Sequence, residues 1–112
     1  MIDYVTAIAG SGPAYFFYLT ELLTEFAEEA GFTPEVAAKL SSQTLIGSAE
    51  MLKDAMGGSK GGTVNSGKSA ATLRSEVTSK GGTTEAALNS LAANGFGETF
   101  KNGVMAAYEK TK

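Results

Sequence analysis

The chain has no cysteine and no histidine. Without cysteine there is no disulfide, no thiolate metal site and no cysteine nucleophile. Without histidine the commonest general base and the commonest metal ligand are both missing. No metal site is expected. Basic residues are few and scattered: nine Lys and Arg stand against twelve Asp and Glu, a net charge of −3. No basic stripe forms, so nucleic acid is not an expected partner. No apolar run approaches the length of a membrane span, and the N-terminus lacks the layout of a signal peptide. No membrane association is expected, and the cytoplasm is the expected compartment. Strand signals are also missing: there is no period-two alternation and no hairpin dipeptide between apolar runs. The length, 112 residues, suits one domain with one core. It is small for an enzyme that carries its own cofactor domain.

What is present is helical punctuation. Residues 1–10 read as a short apolar lead-in, and Gly10-Ser11-Gly12-Pro13 follows. Pro13 suits the first position of a helix, where its missing N–H costs nothing. That helix is expected to end at Gly31, a C-terminal glycine. Its first half, Ala14-Tyr15-Phe16-Phe17-Tyr18-Leu19, is apolar or aromatic on every face and has to be covered all round. In its second half Leu19, Leu22, Leu23, Phe26 and Ala30 keep helical spacing, while Glu21, Glu25, Glu28 and Glu29 face water. Thr33-Pro34-Glu35 opens a second helix, with Thr33 as cap and Glu35 complementing the dipole. This helix reaches about Met56, and residues 40–49 carry no charge. One small domain cannot bury both helices, so a second copy of the chain is expected to cover part of their surface. A third helix starts near Ser69 with Leu73 and Val77 as its apolar pair. A fourth runs from about Thr84 to Ala93, with Leu88 and Leu91 inward, and Asn94-Gly95 ends it. A fifth starts at Gly97 or Glu98, with Phe100, Val104, Ala107 and Tyr108 as its stripe. The fold class is all-α, with about five helices.

Two glycine-rich loops are the candidate sites. The first, residues 57–67, has a flexible, linker-like composition. Gly62-Thr63-Val64-Asn65-Ser66-Gly67-Lys68-Ser69 matches the phosphate-loop pattern G-x-x-x-x-G-K-[ST] letter for letter. That loop needs a buried parallel strand before it, and Asp54-Ala55-Met56-Gly57-Gly58-Ser59 cannot be one. A nucleotide site is therefore discounted. Weak attraction of anions by Lys60, Lys68 and the helix start is the milder alternative. The second loop is Ser79-Lys80-Gly81-Gly82-Thr83-Thr84-Glu85. Its glycines let a ligand approach the backbone. Thr83 and Thr84 are N-cap candidates, and the free N–H groups of the helix start suit a carboxylate or phosphate. The plain alternative is a capped loop between two helices.

Two segments carry a family resemblance. Val5-Thr6-Ala7-Ile8-Ala9-Gly10-Ser11-Gly12-Pro13-Ala14-Tyr15 and Glu76-Val77-Thr78-Ser79-Lys80-Gly81-Gly82-Thr83-Thr84-Glu85-Ala86-Ala87-Leu88 resemble the two signature motifs of pyrroline-5-carboxylate reductase, in the domain that follows its dinucleotide-binding domain. Gln43-Thr44, Gly47, Met51-Leu52 and Gly95-Phe96 extend the likeness over nearly the whole chain. The resemblance implies a helical dimerisation bundle of the 6-phosphogluconate dehydrogenase C-terminal-like type, spanning residues 1–112 and interleaved between two chains. It implies that Ser79, Gly81, Gly82, Thr83 and Thr84 hold the carboxylate of an imino-acid substrate, with the Thr84 hydroxyl near the imine and thus the candidate catalytic group. NAD(P)H belongs to the parent enzyme, and no cofactor-binding residue is expected in this chain, which is expected to be inactive alone.

Three departures from the family pattern stand out. The dinucleotide-binding domain is expected to be absent. Lys80 stands where the family usually has Pro. Residues 57–65 look longer than the family's connection, as an inserted or engineered linker would. The alternatives are a redesigned monomeric scaffold that this linker lets fold back on itself, or a weak anion or nucleotide binder.

Overall fold

The structure, a computed structural model, describes residues 1–56, 68–78 and 82–112. All regular structure among them is helical. A one-turn helix α1 (Ile2–Val5) leads into a π-helical segment (Thr6–Gly10). Then follow α2 (Gly12–Glu29), α3 (Pro34–Ala55), α4 (Ala70–Thr78), α5 (Gly82–Ala93) and α6 (Phe96–Lys110). The five longer helices are those read from the sequence. Residues 1–10 are a correction: the apolar lead-in is helical. The linker-like residues 57–67 lie outside the described residues.

The helix ends obey local chemistry. Gly31, at φ 114°, closes α2 in a left-handed conformation. The Phe32 N–H reaches the Ala27 carbonyl at 3.1 Å and the Gly31 N–H reaches Glu28 at 3.0 Å. This pair of bonds is the Schellman arrangement, and it satisfies carbonyls that the helix leaves open. Thr33 caps α3 by accepting the Val36 N–H at 3.3 Å, with Pro34 directly after it. Gly95, at φ 77°, separates α5 from α6.

The chain forms two compact units. The first holds Met1–Leu19 and Ala86–Lys112. Here α6 packs on the π-helical segment, and Ala7 is 0% exposed. The Tyr15 ring meets Phe100 edge-on, with centroids 5.4 Å apart. Tyr4 stacks on Tyr108 at 3.8 Å. Val104, Ala107 and Tyr108 are half-buried, as their spacing on α6 predicts.

The second unit, Thr20–Glu85, contains the seam between α2 and α3. Its α3 side is Ala37, 0% exposed, and Ser41, also buried. The half-buried residues of α2 in this unit are Thr20, Thr24 and Ala27. Thr24 and Ser41 share a hydrogen bond across the seam. Whichever hydroxyl accepts can still donate to its own helix. The Thr20 carbonyl lies 2.9 Å from Thr24 Oγ1 and the Ala37 carbonyl 2.9 Å from Ser41 Oγ. Leu19, Leu22, Leu23 and Phe26 do not line this seam. At one hundred degrees per residue, their face lies about 120° around the helix from Thr20, Thr24 and Ala27. They stay exposed, Phe26 by 69%. Leu40 and Ile46, in the uncharged stretch of α3, are exposed as well.

The stacked tyrosines yield a pH prediction. Hydrogen bonding to the Tyr108 hydroxyl, and then the charge on that neighbour, hold the Tyr4 phenol above its ordinary value of 10.0. A raised folded value means the pair's contribution is complete below about 10 and fades as pH rises through the Tyr4 value. Tyrosinate absorbance in an alkaline titration is expected to show Tyr4 ionising late. Tyr108→Phe should bring it back towards 10.0. An unchanged titration in that variant would show that the stack does not govern Tyr4.

Candidate functional site

The second glycine loop joins α4 to α5. Ser69 opens α4 by accepting the Thr72 N–H at 3.2 Å. Thr78 closes it, its hydroxyl donating to the Arg74 carbonyl at 2.6 Å. Ser79, Lys80 and Gly81 lie outside the described residues. Gly82, Thr83 and Thr84 form the first turn of α5. Thr83 and Thr84 are therefore not N-caps, a second correction: the helix starts earlier than their side chains suggest.

The consequence is chemical. The N–H groups of a first turn have no carbonyl one turn back. Gly82 and Thr83 are exposed, whereas Thr84 is half-buried, as is Leu88 one turn further on. Bare N–H groups, a glycine surface and two hydroxyls within three residues suit a small anion such as a carboxylate. Among the described residues no group of His, Cys, Asp and Glu could hold a metal ion. No helix there is long and apolar enough to cross a membrane.

The first motif divides between three elements. Val5 ends α1, residues 6–10 make the π turn, and Gly12 opens α2. Ser11 and Tyr15 are half-buried and Gly12 is buried. Helical spacing gives no sign of the π turn, because its wider winding has no separate sequence period.

In the phosphate-loop match, residues 62–67 lie outside the described residues. Its last two side chains are engaged locally. Lys68 Nζ pairs with Glu76 at 3.1 Å, and the Ser69 hydroxyl caps α4.

Comparison with known proteins gives a consistent set. The family model for pyrroline-5-carboxylate reductase dimerisation matches residues 1–112. A pyrroline-5-carboxylate reductase of Pseudomonas aeruginosa is 41% identical over 98% of this chain, which covers 36% of that protein. One from Arabidopsis thaliana is 38% identical over 100% of this chain and is covered over 37% of its length. Among solved structures, Plasmodium falciparum pyrroline carboxylate reductase with NADP bound superposes with a TM-score of 0.79 at 36% identity. That match covers 99% of this chain and 38% of the other. The chain thus spans little more than a third of these relatives.

The local engagement of Lys68 and Ser69 predicts a flat calorimetric titration with ATP, in the native chain and in Lys68→Ala alike. Saturable heat in the native chain that disappears in the variant would establish a nucleotide site after all.

Proposed function

We propose a function from one premise: the chain belongs to the pyrroline-5-carboxylate reductase dimerisation family. It is the part through which two copies of such a reductase join, and it supplies one wall of the substrate site. The observation that carries this reading is the open apolar face of α2. Tyr18, Leu19, Leu22, Leu23 and Phe26 are all exposed in a single copy, beside a seam at which Thr24 meets Ser41. An amphipathic helix buries its apolar face in the stable state, and a second copy supplies the matching surface.

At the substrate, the start of α5 holds the carboxylate of 1-pyrroline-5-carboxylate. Gly81 and Gly82 admit the ligand to the backbone, and the N–H groups and hydroxyls of Ser79, Thr83 and Thr84 bind it. The Thr84 hydroxyl lies beside the imine and fixes its orientation. NAD(P)H, held by the part of the enzyme outside this span, supplies the hydride that reaches the C=N carbon. The nitrogen gains a proton and the product is proline. Positioning is this chain's contribution, and such chemistry needs neither histidine nor cysteine. On this reading the chain alone is inactive.

Light scattering across a concentration series is expected to give a dimer. Phe26→Asp or Leu22→Glu should shift it to monomer, since a buried apolar anchor is worth about 2 kcal/mol or more, roughly thirty-fold in affinity. On a solvent-facing surface the same changes would move stability by only about 0.5 kcal/mol. A monomer at every concentration would return the self-folded scaffold as the better reading.

Proline added to the labelled chain is expected to shift the amide signals of Gly82, Thr83 and Thr84. With only one wall present, the dissociation constant should be on the order of millimolar, about −4 kcal/mol. Signals that stay still at that concentration would remove these residues from the substrate site.

A further inference from the structure

The π turn before α2 poses a question of accounting. The Ser11 N–H donates to the Thr6 carbonyl, five residues back, at 2.9 Å. In an α register it would donate to Ala7. The Ala7 carbonyl instead accepts the Tyr15 hydroxyl at 2.6 Å. Ala7 is 0% exposed, so water cannot readily replace that hydroxyl, and a buried carbonyl without a partner is disfavoured.

We propose that Tyr15 is a register latch, its hydroxyl holding residues 6–10 in the π turn and its release letting them relax into a continuous α-helix. Three observations carry this. The hydroxyl bond to Ala7 is separate from the ring's edge-on contact with Phe100 at 5.4 Å, so either can be removed alone. The alternative register is locally complete, because the Ser11 N–H becomes the partner of the Ala7 carbonyl that Tyr15 gives up. Gly10 does not enforce the π turn: a Cβ there would meet only Thr6 Cγ2 at an ordinary 3.6 Å.

The two registers differ in what they do to α1. Taking up one residue rotates everything before the turn by about 100° and moves it about 1.5 Å along the axis. Tyr4 lies on that arm, and its ring is stacked on Tyr108 of α6 at 3.8 Å and 5°. The rotation carries Tyr4 off that ring. One hydroxyl on α2 therefore sets the direction of the arm within its unit. Tyr15 acts as a positioning residue.

Scalar coupling across hydrogen bonds, measured by NMR on the labelled chain, reads the register directly. In the native protein the Ser11 nitrogen is expected to couple to the Thr6 carbonyl carbon. In Tyr15→Phe the coupling should move to Ala7, and the ring-current shifts between Tyr4 and Tyr108 should collapse. Phe100→Leu removes the ring contact but keeps the hydroxyl, so its coupling should stay on Thr6. Retention of the Thr6 coupling in Tyr15→Phe would overturn the proposal, as would its loss in Phe100→Leu. If Tyr15→Phe does not fold, deletion of Ala9 gives a second test. A π turn is an α-helix with one residue too many, so the deletion removes the need for a latch. The double variant is expected to fold, and its failure to do so would also overturn the proposal.

Discussion

The contact on which the second unit depends is the hydroxyl pair of Thr24 and Ser41, set beside Ala37 where α2 meets α3. Small side chains let two helix backbones approach closely, and a shared hydroxyl bond fixes their register. They bury little apolar area in doing so. A fully buried Leu or Phe is worth about 1.5–3 kcal/mol, and no side chain of that size is fully buried among the described residues. The seam uses the face of α2 that carries Thr20, Thr24 and Ala27, and among the described residues the large apolar side chains of its other face stay exposed. The small-residue seam and the open apolar stripe are two results of one packing choice.

Where local chemistry decides, the sequence was legible. Gly31 and Gly95 both take positive φ, and Thr33 caps α3 through Val36. Each of these depends on one or two residues, so a linear reading suffices. The π turn was not legible, because an extra residue in a helix is decided by a partner at Tyr15, eight positions from Ala7. The start of α5 was misread for a related reason. Thr83 and Thr84 are good caps by type, but the helix begins before them, at Gly82. Periodicity identified the stripe of Leu19, Leu22, Leu23 and Phe26 correctly as one face. It could not say what covers that face, since the amphipathic pattern is the same whether the partner lies in the same chain or in another copy.

For the candidate site, residue types alone do not separate the two glycine loops. Glycine, serine and threonine in a loop are ordinary turn chemistry, and on composition alone the phosphate-loop match looks at least as specific. The two loops differ in what lies beside them. At Lys68 and Ser69 the side chains close on their own helix, through Glu76 and the Thr72 N–H. Gly82, Thr83 and Thr84 stand in the first turn of α5, whose N–H groups have no carbonyl of the same helix one turn back. A pattern match gives letters, whereas a site needs unspent donors.

The same reasoning explains how a chain without histidine or cysteine fits a reductase family. Carboxylate binding needs a fixed set of donors more than it needs acid–base groups, and a helix start presents such donors at no titration cost. They keep their character across the pH range in which side chains gain and lose protons. In the proposed function the demand falls on position: the first turn of α5 has to be held at a fixed place against the rest of the substrate site. In the proposed assembly that rigidity comes from covering the apolar stripe of α2. Dimerisation and substrate binding would then be linked requirements of one helical framework, one met by its large side chains and the other by its backbone.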